Sequence, residues 1–291
     1  METAGDLTKH IIQSIAPEDS HGTDGIGEVF LDELGKLMQR SNRASRKELL
    51  HLARLLYNNA ANLSYEIDSN GERQLISRAC SAGDVVFDVG ANKGDWTKTV
   101  LETSPDAEIH CFELIPHTAK LLKENLKGTP ATINPCGLSD KEDTIIANYC
   151  KDHSELSGIY DVHSNFSMEK LRCKVTTGNK YCNHFDIKKV RLLKVDCEGA
   201  ELAVLQGFKS LLRQNAIDII QFEYGKANIK ARSLLLDFYS YLEPFGYVVG
   251  KLYPDGVDFK PYELEDEDYT GPNYVACTGR DADLLSRLRD F

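Results

Sequence analysis

Four carboxylates fall close together in the second half of the chain. Asp196, Glu198 and Glu201 lie in K-V-D-C-E-G-A-E (194–201), and Glu223 lies near the end of the apolar run AIDIIQFEY (216–224). Crowded carboxylates in a cleft raise one another's pKa, which brings a general base into a usable range near neutral pH. Asp196 and Glu198 are two residues apart, so in an extended segment they face the same way. With Glu223 they are the candidate catalytic residues. Such groups can position an acceptor or take its proton, a step worth about 10²–10⁴-fold. Glu201 can open the next helix, where negative charge is favoured, and Lys194 can pair with one of the acids. The competing reading is a structural ion network. Hard cations also prefer oxygen ligands. No His-and-carboxylate cluster with ligand spacing accompanies these acids, so no metal is expected.

A second group is the glycine-rich turn DVGANKG (88–94). It stands where an apolar strand meets a helix, whose free N–H groups and positive end attract an anionic ligand group. Gly90 and Gly94 remove side chains where backbone and ligand must approach, and Ala91 and Asn92 lie between them. Asp88 can accept hydrogen bonds from a ligand amino group or orient the loop. Glu113 ends the next strand, where an acid chelates ribose hydroxyls. The pattern suits the carboxylate and ribose of S-adenosylmethionine. NAD is the nearer rival, but the spacing is G-A-N-K-G and not G-x-G-x-x-G. In CGLSDKED (136–143), Ser139 and Asp140 are placed to reach an adenine amino group, or else make a local polar turn.

These groups need a scaffold. After Gly71, apolar runs alternate with helical ones: DVVFDVG (84–90), EIHCFEL (108–114), ATINPCGL (131–138), VRLLKVDC (190–197) and AIDIIQFEY read as strands. Helices are expected over 95–103, from Pro116 to about 127, over 201–213 and from about 228 to 244. Buried strands alternating with helices imply a parallel, doubly wound sheet. GYVVGKLY (246–253) and PNYVACTG (272–279) are joined by a loop and read as an antiparallel edge hairpin. The chain of 291 residues then divides into a helical accessory segment, 1–70, and an α/β domain, 71–291. In the former, Ile26, Phe30, Leu34 and Leu37, then Leu49, Leu52 and Leu56, recur at helical spacing, and Pro17–Gly27 reads as a loop. The accessory segment can cover a substrate entrance, form a homodimer surface, or simply complete the core.

Residues 141–178 are an insertion between the third and fourth strands. His153, Ser154, Ser157, Tyr160, His163, Ser164 and Asn165 make it polar and aromatic enough to meet a polyhydroxyl acceptor, or a solvated hairpin. ELEDEDY (263–269) reads as a solvated loop. The formal net charge is −11, which argues against a grip on nucleic-acid phosphates. The eight cysteines are scattered without a CxxC pair, so reduced structural thiols are expected and zinc is not. No apolar stretch is long enough to span a bilayer. The N-terminus shows no basic region followed by an apolar core, so a cytoplasmic protein is expected.

NGERQLISRACSAGDVVFDVGANKGDW, HCFELIP, LLKVDCEGAELAVLQGF and IIQFEYG together resemble the FkbM family of methyltransferases, over roughly 70–250. The resemblance implies a Rossmann-like class I methyltransferase fold with a mostly parallel seven-stranded sheet. It also implies S-adenosylmethionine as the methyl donor. Family members include O-methyltransferases of natural products and sugars, so a hydroxyl on a sugar, glycan or natural product is the expected acceptor. An N- or carboxyl-methyltransferase and a non-catalytic nucleotide-binding scaffold are the alternatives. A NAD-dependent oxidoreductase is the weakest reading.

Overall fold

The strands expected from apolar runs form because those runs can be buried on both faces at once. In a computed structural model, which describes residues 35–36, 43–161 and 166–291, they assemble into one large sheet. Its strands are β1 (Val85–Val89), β2 (Glu108–Phe112), β3 (Thr132–Asn134), β7 (Val190–Val195), β8 (Ile217–Glu223), β9 (Tyr247–Tyr253), β10 (Gly256–Phe259) and β11 (Asn273–Thr278). The order is β10-β9-β11-β8-β7-β1-β2-β3. From β3 to β8 the neighbours are parallel. β11 runs antiparallel between β8 and β9.

Successive residues of β1 alternate between two cores. Phe87 and Val89 join Phe112, Leu193, Val195, Phe208, Phe222 and Phe238 on one face. Val86 joins Leu75, Trp96, Val100, Ile109, Leu122, Leu192 and Leu288 on the other. This is the doubly wound α/β architecture that the alternation implies. Each large apolar side chain so buried contributes about 1.5–3 kcal/mol.

Among the described residues the sheet has eight strands, one more than the seven expected. The additional strand, β10, falls in the segment expected as a loop between 246–253 and 272–279. It follows Pro254 and Asp255, a two-residue turn, and pairs Gly256 with Tyr253. Pro and Asp are turn formers, and the short Val257-Asp258-Phe259 run behind them is long enough for an edge strand.

The third strand is also corrected. ATINPCGL is not continuous, because Pro135 has no N–H to give a ladder. β3 ends at Asn134, and the chain leaves for a second sheet. There β4 (Gly137–Leu138) and β5 (Asp143–Tyr149) flank β6 (Glu169–Thr176). Two long helices are likewise interrupted. The first splits at Phe208 into Glu201–Gly207 and Lys209–Arg213. The second splits at Arg232, in a left-handed conformation, into Lys226–Ala231 and Leu235–Leu242.

The chain divides into two units, Met1–Tyr57 and Asn58–Phe291. Leu49, Leu52 and Leu56 lie on the helix Arg43–Ala60. Ile26, Phe30, Leu34, Leu37 and the Pro17–Gly27 loop lie outside the described residues, as do His163, Ser164 and Asn165. All eight cysteines are free thiols, and most are buried. Among the described residues no helix is long and apolar enough to cross a membrane.

Candidate active site

The carboxyl ends of β2, β1, β7 and β8 lie side by side, and chain connections diverge to either side of β1. A crevice forms at such a switch point. It holds a cavity of about 510 Å³, within the range of about 300–1,000 Å³ common for small-molecule sites.

On the β2 side stands Glu113, which lines the cavity. Its Oε2 accepts the N–H of Asn92 at 2.9 Å and its Oε1 that of Ile115 at 2.8 Å. A carboxylate has about four acceptor positions, so capacity remains for two hydroxyl donors. Burial pushes this carboxyl up to about 7, against those two N–H groups, which favour the charged form. Beyond it, Leu114, Ile115, Leu138 and Val175 line an apolar slot.

Glycine-rich turn residues are placed differently from the expectation. Gly90 and Asn92 line the cavity, whereas Asp88, Ala91 and Gly94 do not. A Cβ on Gly90, at φ +84°, would lie 1.7 Å from the carbonyl oxygen of Asp196. One on Gly94, at φ +91°, would lie 2.8 Å from Leu122 Cδ1. Gly90 is therefore required by the backbone of the neighbouring loop, whereas Gly94, whose nearest contact is only the tip of a leucine side chain, is favoured by its left-handed backbone. Asp88 is fully buried. Its Oδ2 accepts from Thr97 Oγ1 at 2.6 Å, and its Oδ1, which has no hydrogen-bond partner, faces Lys194 Nζ at 3.4 Å. Ser139 and Asp140 lie outside the cavity lining and bond to each other, Oγ to Oδ1 at 3.1 Å. Leu138, one residue earlier, reaches the cavity in their place.

On the β7–β8 side, Asp196, Glu198 and Glu223 all line the cavity. One carboxylate oxygen from each lies within 4.8 Å of the others, a grouping that can also hold a cation. The strand does not persist as far as Glu198: β7 ends at Val195, and Glu198 is left-handed with φ +51°. The carboxylates thus converge through a turn, and not through strand alternation. A left-handed non-glycine residue costs about 1–2 kcal/mol.

Burial, reinforced by Asp196 and Glu201, pushes Glu198 up to about 8. Burial and the same acidic neighbours hold Glu223 well above the usual carboxylate range. Lys194 is the counter-charge, with Nζ 3.2 Å from Asp196 Oδ2. Burial opposes its charge, but Asp196, Asp88 and Glu72 outweigh that and keep it protonated.

The insertion supplies a strap over the cavity. Asn148 and Gly158 form a bridge, and Ser154 Oγ donates to Asn92 Oδ1 at 2.8 Å. Ser154, Glu155 and Ser157 line the cavity. His153 instead pairs with Glu155. Sequence reasoning passed over Tyr65, Leu114, Val175 and Lys226, which also line it. Leu114 closes the expected strand EIHCFEL (108–114) and carries a readable signal. Tyr65 and Val175 reach the site only through the tertiary fold.

Residues 88–249 match the methyltransferase FkbM domain, more than half of the chain. The hexuronic acid methyltransferase AglP of Haloferax volcanii is 29% identical over 163 residues, 54% of this chain and 65% of that protein. The match therefore spans slightly under two thirds of that relative. The 2-O-methyltransferase NoeI of Sinorhizobium fredii is 25% identical over 200 residues, 64% of this chain and 81% of that protein. Among solved structures, the methyltransferase FkbM from Methylobacillus flagellatus aligns with 14% identity and a TM-score of 0.44. That alignment covers 68% of this chain and 44% of the other.

Proposed function

We propose, from the premise that this chain belongs to the FkbM methyltransferase family, that it transfers a methyl group from S-adenosylmethionine to a hydroxyl of a sugar or glycan. The observation that carries this reading is the convergence of Asp196, Glu198 and Glu223 on a cavity whose other end is walled by Glu113 and apolar side chains. The donor set fits the proposed methyl donor. Glu113 has free acceptor positions for ribose hydroxyls, the slot of Leu114, Ile115, Leu138 and Val175 suits an adenine ring, and the acidic end suits a cationic centre. When bound, the donor supplies an electrophilic methyl group. Ser154 and its strap exclude water from above. Asp196 or Glu198 orients the acceptor hydroxyl or receives its proton, with Glu223 in support. Asp88 acts indirectly, by fixing Thr97 and Lys194. Ser139 and Asp140 hold the turn behind Leu138.

The relatives support an oxygen acceptor on a sugar: one is named for hexuronic acid and the other for 2-O-methylation. In this reading the chain works in the cytoplasm on a small-molecule or glycan acceptor and not on nucleic acid. Residues 1–70 act as an accessory segment, available for homodimer contacts.

The test is incubation with isotope-labelled methyl donor and a panel of hexuronic acids and neutral sugars, followed by mass spectrometry. Label on a sugar hydroxyl is expected. Label on nitrogen or a carboxylate would overturn the acceptor assignment. Calorimetric binding of NAD with no response to S-adenosylmethionine would overturn the donor. Transfer is expected to persist in EDTA. Activity lost in EDTA and restored by Mg²⁺ would recast the three acids as cation ligands.

A further inference from the structure

Glu198 occupies a backbone region that glutamate rarely adopts, φ +51°, so its surroundings must hold it there. The residues on either side of it donate to a single atom. Cys197 N lies 2.9 Å and Gly199 N 3.0 Å from Glu201 Oε1. The other oxygen of that carboxylate, Oε2, accepts from Asn228 Nδ2 at 3.4 Å. Asn228 belongs to the helix that follows Glu223, and its Oδ1 accepts the N–H of Gly225 at 2.8 Å. Glu201 and Asn228 are each 1% exposed, and neither lines the cavity. The Glu198 loop also touches the first turn of that helix beside this bond: a Cβ on Gly199 would lie 2.9 Å from the carbonyl oxygen of Ala227.

Ordinary helix capping accounts for only part of Glu201. A cap accepts N–H groups from the first turn of its own helix. Besides its own N–H, Glu201 accepts from two residues that precede its helix and reaches across to Asn228. We propose that Glu201 and Asn228 are a positioning pair. Their hydrogen bond ties the loop that carries Glu198 to the loop that follows Glu223, and so sets the separation of the two carboxylates that face the acceptor hydroxyl. The inference rests on the methyl-transfer reading above. Neither residue touches the reacting atoms, and their effect runs through Glu198 and Glu223.

The chemistry of the pair offers a reversal test. Glu201→Gln keeps an oxygen for Cys197 N and Gly199 N but turns an amide donor towards the Asn228 donor. Asn228→Asp places two carboxylates face to face. Glu201→Gln breaks the link at any pH, and Asn228→Asp breaks it only well above the value of about 7 to which burial raises Glu201, where the two carboxylates cannot share a proton, so the variants are compared at alkaline pH. The double variant, Glu201→Gln with Asn228→Asp, restores it with donor and acceptor exchanged. One Asp oxygen remains for Gly225 N. Ser233 Oγ, which now accepts from Asn228 Nδ2 at 3.1 Å, can rotate to donate.

The measurements are kcat and KM on the sugar acceptor found by the labelling experiment, affinity for S-adenosylmethionine, and thermal midpoint. Each single variant should lose about 10-fold or more in kcat, the effect of a misplaced reacting group. Its donor affinity should stay within about twofold. The double variant should regain kcat to within about threefold of the wild type, the coupling that a double-mutant cycle isolates. A double variant as slow as the slower single would overturn the proposal. So would singles that lose kcat only in step with thermal stability or donor affinity. A wild-type chain that fails to bind the donor or transfer its methyl group would overturn the methyl-transfer reading, a result seen before any variant is made.

Discussion

At Asp196, one carboxylate faces an ammonium group and two further carboxyl groups. Lys194 Nζ is 3.2 Å away, while Glu198 and Glu223 crowd the other side. Asp196→Asn is nearly isosteric and removes the charge. If Asp196 receives the acceptor proton, kcat should fall by about 10²–10⁴-fold with donor affinity little changed. A drop in donor affinity alone would place it in the donor site, and a variant that cannot fold would favour the ion network. Glu113 answers to a different measurement. Glu113→Ala should weaken donor binding by about 1–3 kcal/mol, the cost of losing charged hydrogen bonds. Because its carboxyl is pushed up to about 7, donor affinity in the wild type should fall as pH drops below that value. Calorimetry across pH 5.5–8 checks both, and a flat profile would remove Glu113 from donor binding. The types and spacing of Asp88, Glu113, Asp196 and Glu223 were readable in the chain because Asp88 interrupts an apolar strand run just before the glycine turn and the other three stand at or just past the ends of such runs. Which of them faces the cavity was not, since Asp88 lies inside the core and its carboxylate is consumed by Thr97 and Lys194.

At the scale of elements, each glycine and proline had a readable local meaning but a partner that the sequence did not reveal. Gly90 reads as a turn beside a ligand, yet its requirement comes from the Asp196 carbonyl oxygen. Gly90→Ala should therefore destabilise the folded chain by about 1–3 kcal/mol or more, the range for strained backbone. Chemical denaturation checks this, and unchanged stability with weakened donor binding would restore the ligand-approach explanation. Pro135 was present in the sequence, but that the chain beyond it pairs with residues 169–176 depends on a contact distant in sequence. The acidic run 263–269, expected as a solvated loop, is fixed at Glu267. That carboxylate accepts from Tyr224, Tyr262 and the N–H groups of Leu235 and Leu236. Glu263, Leu264 and Glu265 stay exposed, as the charge density indicated, while donors from Tyr224, Leu235 and Leu236 on other elements hold Glu267.

At the scale of the whole molecule, the acid cluster costs stability in a way that pH reveals. Glu198 is raised to about 8, and Glu113 and Glu201 to about 7, chiefly by burial. In the unfolded chain these carboxyls ionise near 4.5, so between 4.5 and 8 the folded state binds more protons. Stability contributed by these groups is then full below about 4.5 and declines as pH rises through 7–8. Glu198→Gln removes one such group. It should raise the thermal midpoint at pH 8 by about 2–4 °C for each 1 kcal/mol recovered, and the gain should shrink as pH falls towards 4.5. A gain independent of pH would overturn this account. The order of strands and helices, the glycine-rich turn and the acids after the apolar runs were determined by the sequence alone. Burial on two faces leaves a repeating apolar signature along the chain, and strand ends follow from where it stops. The eighth strand, the second sheet, the strap over the cavity and the left-handed turn at Glu198 were decided by tertiary structure. Each depends on hydrogen bonds or backbone contacts between segments far apart in the chain, for which no local pattern exists.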